Sequence, residues 1–266
     1  MQRNNKMNRI AILYICTGKY DVFWKGFLRS YEKNFLPNSI KEYFVFTDAP
    51  SLYGEDKCKR IHRIFQKKLG WPYDTLMRFQ MFDSIADRLQ EFDYVFFMNA
   101  NCKCVSVITE EEFLPKKKDI LVVQHPGEYN KKPKKFSYDR NPQSTAYIPK
   151  GEGRYYVCGG INGGRTAAYL ELIRELKKNV DIDIKNHVIA KWHDESHINH
   201  YIYTHDNWEM LSPSYCYAED WNLPFEPKIL VREKSKYIDA NGMKFGKFVS
   251  ALRKIARKII RKIRKN

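Results

Sequence analysis

With 266 residues, 43% hydrophobic and 15% aromatic, the chain can bury one substantial core, so it forms one domain or one domain with an appendage. Its six cysteines (16, 58, 102, 104, 158, 216) are scattered, which excludes a paired metal-ligand spacing and leaves reduced thiols in a cytosolic protein; the apolar run at residues 10–16 is too short to span a membrane. The net charge of +16 points to a polyanion, an anionic membrane or a phosphorylated ligand, depending on where it lies.

Residues 10–15 read as a buried strand that runs into a glycine-containing loop, Cys16-Thr17-Gly18-Lys19-Tyr20. Phe23, Phe27 and Tyr31 are spaced by four and predict a helix, followed by a strand at 43–47 and a shorter one at 61–65. This βαβ beginning could hold a nucleotide in its first loop, although a single glycine is no dinucleotide fingerprint. After Trp71 and Pro72 the pattern predicts a helix from about Asp74 to Leu89, with Asp74 or Thr75 as its N-cap and Arg78 early in it.

Residues 94–98, Tyr-Val-Phe-Phe-Met, are continuously apolar and read as a strand buried on both faces, as in a parallel sheet. The strand stops at two amides, Asn99 and Asn101, placed where open α/β sheets keep their ligands; an ordinary Asx-turn is the competing reading. A further strand is predicted at 120–124, ending at His125-Pro126-Gly127, and an irregular loop at 128–149, longer than most connections. A strand at 155–158 is closed by Gly159-Gly160-Ile161-Asn162-Gly163-Gly164, where glycine lets backbone or ligand approach closely, and a helix follows at 166–179.

Trp192-His193-Asp194-Glu195-Ser196-His197 opens the next helix, with His200 following. The cluster fits a helix start whose carboxylates favour the dipole, a polar substrate gripped by carboxylates against an indole, or zinc on three histidines. For zinc, the metalloprotease pattern needs Glu where Asp194 stands.

Residues 244–266 hold ten Lys or Arg and no acid, so ten of the sixteen excess charges lie in this tail. Its apolar residues recur at spacings of three and four, which predicts a basic amphipathic helix lying on anionic lipid, with residues 1–243 as the catalytic domain. Nucleic acid would waste the apolar stripe, and none is expected as partner.

Taken in order, Asn99-Ala100-Asn101, His125-Pro126-Gly127, Asn141-Pro142-Gln143-Ser144, Ala146-Tyr147-Ile148-Pro149, Gly159-Gly160 and Trp192 through His197 resemble a bacterial member of glycosyltransferase family six. The resemblance is closest to metal-independent enzymes of gut bacteria such as Bacteroides, and the family includes the histo-blood-group A and B transferases. It implies a single A-type nucleotide-sugar transferase fold of α/β class, with a Rossmann-like nucleotide half and a UDP-sugar donor transferred with retention of configuration. It implies that Ile15 and Tyr20 line the uridine pocket, Arg78 faces the donor, and Gly159 and Gly160 underlie the donor sugar. Asp194 would bind donor hydroxyls, His125, Trp192 and Glu195 would hold the acceptor and the reacting carbon, and Glu195 would carry the chemistry.

Two departures from the vertebrate members shape the expectation. Asn99 and Asn101 replace an Asp-x-Asp pair, and neutral amides are poor ligands for a hard divalent cation; no metal or cofactor is expected, and Arg78 with Lys234 or Lys236 would meet the diphosphate. In place of an amino-terminal anchor, the basic tail would hold the enzyme at the cytoplasmic face of the inner membrane. Glycine at position 160 leaves room for an N-acetyl group, so the expected reaction moves N-acetylgalactosamine from UDP-GalNAc to the galactose of a Fucα1,2Gal acceptor. Galactose transfer to the same acceptor, or a sugar-binding protein without turnover, are the alternatives.

Overall fold

Strand β1 (Arg9–Ile15) alternates its side chains between two faces, and both are apolar: Ile10, Ile12 and Tyr14 enter one hydrophobic cluster, Ala11 and Leu13 another. A strand of this kind needs cover on both sides. In the computed structural model, which describes residues 7–238, that cover comes from helices packed against each face of a mixed sheet.

A 3-10 turn (Gly18–Phe23) leads into α1 (Trp24–Asn34), which buries Trp24, Phe27 and Tyr31 against β1 and β2 (Ile40–Thr47). β3 (Ile61–Phe65) follows. The helix expected from Asp74 to Leu89 is instead three short ones, α2 (Tyr73–Leu76), α3 (Arg78–Asp83) and α4 (Ala86–Leu89). They break where Met77 and Ile85 leave helical geometry, at ψ 13° and 16°. Asp74 does not cap this helix, because its carboxylate accepts from the amides of Leu69 and Gly70; nor does Thr75, whose hydroxyl donates to the Pro72 carbonyl. The N-cap position falls to Pro72.

β4 (Tyr94–Met98) is buried along its whole length, as its unbroken apolar run requires. β5 (Cys102–Cys104), α5 (Glu110–Phe113) and β6 (Ile120–Gln124) come next. β7 (Val157–Arg165) runs on past the expected strand end at 158, so all four glycines of 159–164 lie inside this strand. A Cβ on Gly163 would stand 2.3 Å from the Val95 carbonyl oxygen, and one on Gly164 would stand 2.1 Å from that of Asp119. Glycine is needed there because neighbouring strands approach from both sides, not because the chain turns. α6 (Thr166–Lys185) runs past its expected end at 179, and α7 (Asp194–Thr204) and β8 (Trp208–Leu211) complete the main layer. β9 (Tyr217–Ala218) and β10 (Ile229–Val231) join β5 in a small second sheet whose short strands carried no sequence signal.

The seven-stranded sheet runs β3-β2-β1-β4-β7-β6-β8. Its pairs are parallel except those made by β7, which is antiparallel to β4 and to β6. The fully parallel surroundings expected for β4 therefore hold only on its β1 side. Two consequences position a site. The chain leaves β1 towards β2 on one side and later returns to β4 on the other, so a crevice opens between the carboxyl ends of β1 and β4, where α/β sheets bind ligands. Because β7 is reversed, its first residues lie at that same end, beside the exit from β4. From the far end of β7, α6 runs 20 residues, about 30 Å, before the chain enters α7.

The chain divides into a compact unit, Met1–Arg232, and a second unit, Glu233–Asn266. The expected boundary at 243 and the amphipathic tail at 244–266 lie outside the described residues. Among the described residues no helix is long and apolar enough to cross a membrane.

Candidate active site

The exit from β4 and the entry to β7 are joined by a hydrogen bond from the Asn99 amide N–H to the Gly160 carbonyl, 2.8 Å. A Cβ on Gly160 would lie 3.1 Å from the Asn99 side-chain amide, so that amide looks across the glycine. A Cβ on Gly159 would lie 2.7 Å from the Asp194 carboxylate and 3.0 Å from Glu195 Cβ. Both glycines therefore form a floor, with Asn99 on one side and the start of α7 on the other.

The start of α7 is held from three directions. Asp194 is buried and its Oδ2 lies 2.8 Å from Arg78 Nη1; the same Arg78 nitrogen donates to the Gly159 carbonyl at 2.9 Å, and the guanidinium stacks 4.3 Å over the Phe97 ring. Glu195 accepts from the Tyr156 hydroxyl at 2.8 Å and from the Gly159 amide at 2.9 Å. Asn199, one turn further along, accepts from the Val157 amide and donates to the Val157 and Glu195 carbonyls. His193 precedes the helix at φ 52°, ψ −124°, a conformation that non-glycine residues rarely adopt, with its ring against Thr75 and Trp71.

Burial dominates the electrostatics. It pushes the Asp194 carboxyl from 3.8 up to about 7, with Arg78 opposing and Glu195 adding to the rise. Burial also raises Glu195, against the pull of the Gly159 amide and the Tyr156 hydroxyl, and it raises Tyr156, with Glu195 adding to that rise. Two adjacent carboxylates thus stand in a desolvated setting, one countered by a guanidinium and the other by neutral donors.

His125 follows β6 and meets Tyr156 edge-on at 5.7 Å. Its Nδ1 accepts from the Gly127 amide at 3.0 Å, and burial lowers its pKa, so the neutral ring carries its proton on Nε2 and presents a donor. Trp192 is half exposed beside the carboxylates, its amide donating to Ser196 Oγ. Ile15 ends β1, and Tyr20 lies in the turn that follows, 6.0 Å from the Phe23 ring, on the other side of the crevice from β4.

Asn101 is buried, and its amide nitrogen donates to the Arg232 carbonyl at 2.7 Å. Lys234 and Lys236 form a short turn in the second unit. The zinc reading does not survive the geometry: His193 meets Thr75, His197 is buried facing Asp183 at 3.8 Å, and His200 meets the Tyr147 carbonyl. Among the described residues no three His, Cys, Asp or Glu side chains converge as metal ligands. The long loop is built rather than loose. Tyr138 and Ile148 pack with Tyr156, and Asp183 of α6 accepts from Ser144 and Thr145.

Tyr156 and Asn199 were missed at the level of sequence. Asn199 lies four residues after Glu195, a spacing that puts both on one helix face; nothing singled out Tyr156.

The profile of glycosyltransferase family 6 matches residues 2–240. The chain is 36% identical over 227 residues to the O-antigen biosynthesis glycosyltransferase WbnI of Escherichia coli, covering 85% of this chain and 95% of that one. It is 30% identical over 235 residues to histo-blood group ABO system transferase 1 of Rattus norvegicus, covering 86% of this chain and 65% of that protein. It is also 29% identical over 228 residues to globoside alpha-1,3-N-acetylgalactosaminyltransferase 1 of Gallus gallus, covering 84% and 65%. The chain thus spans nearly all of the bacterial relative and just under two thirds of the two vertebrate ones. The α/β fold with these relatives makes it a hexosyltransferase. It belongs to glycosyltransferase family 6.

Proposed function

We propose that the chain is a retaining α1,3-N-acetylgalactosaminyltransferase that moves N-acetylgalactosamine from UDP-GalNAc to the galactose of a Fucα1,2Gal acceptor without a divalent metal. The observation that carries the reading is the fixed position of Glu195, whose two carboxylate oxygens are held by the Tyr156 hydroxyl and the Gly159 amide over the glycine floor. A preorganised negative charge there opposes the positive charge that develops on an anomeric carbon as the leaving group departs. It serves retention whether Glu195 attacks that carbon or shields it while the acceptor enters from the leaving-group face. Asp194, braced by Arg78, accepts from donor-sugar hydroxyls, and His125 Nε2–H with the Trp192 indole receives the acceptor.

Donor choice rests on Gly160: a Cβ there would press on the Asn99 side-chain amide at 3.1 Å, and its absence keeps the floor as low as a residue allows under an N-acetyl group. The chicken relative, named as an alpha-1,3-N-acetylgalactosaminyltransferase, agrees with this choice. Metal independence is supported by the donor set: Asn99 and Asn101 are uncharged amides, whereas a hard divalent cation favours carboxylates. The basic tail would place the enzyme on the cytoplasmic face of an anionic membrane, and deleting 244–266 should release it to the soluble fraction. The direct test is transfer from UDP-GalNAc and, separately, UDP-galactose to 2′-fucosyllactose in excess chelator. Turnover with the first donor supports the reading; turnover only after Mn²⁺ is added removes metal independence, and preference for the second donor overturns the donor assignment.

A further inference from the structure

A leaving diphosphate needs positive charge, and the cations nearest the site glycines and the β4 exit are already committed. Arg78 is paired with Asp194 and donates to the Gly159 carbonyl. Arg232 gives its guanidinium donors to the carbonyls of Asn101, Cys102 and Phe23, tying the β4 exit to the first loop. The first loop itself is shaped by Gly18, at φ +60°, whose amide donates to Asp48 at 2.7 Å.

Lys68, in the connection between β3 and α2, lies along this glycine. From the position a Cβ on Gly18 would take, Lys68 Cδ is 3.1 Å away, Cε 3.7 Å and Nζ 3.8 Å. Its side chain is exposed, and its ammonium has no partner among the described residues. The end of the side chain therefore lies beside the first loop, at the carboxyl end of β1, the strand that borders the crevice where an α/β sheet of this topology receives its ligand. We propose that Lys68 binds the donor's phosphates, supplying at the β1 side of the crevice part of the charge that the Asn99 and Asn101 amides cannot recruit through a metal. The proposal rests on the nucleotide-sugar reading above. A lysine suits the place because a compact ammonium on a flexible stem can follow a phosphate as the leaving group departs.

Calorimetric titration of the full chain with UDP and with uridine tests this, using wild type, Lys68→Ala and Lys68→Arg. Lys68→Ala should weaken UDP about tenfold at low ionic strength, while Lys68→Arg stays within about twofold. Uridine binding should be unchanged, and the UDP loss should shrink in high salt. An unchanged UDP affinity in Lys68→Ala, or an equal loss for UDP and uridine, would overturn the phosphate role while leaving the transferase reading intact. Wild type that binds neither ligand would remove both.

Discussion

The Arg78 guanidinium lies 2.8 Å from the Asp194 carboxylate and 2.9 Å from the Gly159 carbonyl, so one side chain of α3 joins the start of α7 to the start of β7. Both members of the ion pair are buried. Removing the arginine leaves a desolvated carboxylate without its counter-charge. Arg78→Ala should therefore lower stability by about 3–5 kcal/mol, read from urea unfolding. The double variant Arg78→Met with Asp194→Leu should recover most of that loss while remaining inactive.

The glycines of β7 should separate into two kinds. A methyl on Gly163 would sit 2.3 Å from the Val95 carbonyl and from the Phe96 ring, contacts that backbone cannot easily relieve. Gly163→Ala should cost about 3 kcal/mol or more and give little folded protein. A methyl on Gly160 would meet only the end of the Asn99 side chain at 3.1 Å. Gly160→Ala should fold with a near-normal Tm and shift donor choice towards UDP-galactose, measured as the ratio of kcat/KM for the two donors.

Asp194 gives a pH signature with a definite sign. Its carboxyl is raised from 3.8 to about 7, so the folded protein holds a proton that the unfolded chain releases. That contribution to stability is present below pH 3.8 and is lost as pH rises through about 7. Asp194→Asn removes it, so the Tm of the variant relative to wild type should climb between those two pH values. A flat difference across that window would mean that Asp194 is not held protonated by burial.

Most of the main sheet was legible in the sequence because buried strands leave continuous apolar runs, as in 94–98 and 120–124. The close approach at the glycine run was legible, but the strand end was set too early because glycine also closes strands, and only the distances from Gly163 to Val95 and from Gly164 to Asp119 show that the run continues between neighbours. Asp74 was misplaced because the amides its carboxylate accepts from, those of Leu69 and Gly70, precede it and carry no periodic signal. The carboxylates at 194 and 195 were visible as a cluster at a helix start, but their supports were not. Arg78 and Tyr156 come from distant stretches, and nothing local signals their reach to Gly159 and Glu195.

The claim that Glu195 carries the chemistry is tested most directly by Glu195→Gln, which keeps a side chain of the same shape in reach of the Tyr156 hydroxyl and Gly159 amide. The measurement is the rate of transfer to 2′-fucosyllactose, with UDP affinity determined on the same preparation. The account predicts a loss of about 10³-fold or more in kcat with UDP binding nearly unchanged. A near-normal kcat would contradict it and move the chemistry to another group.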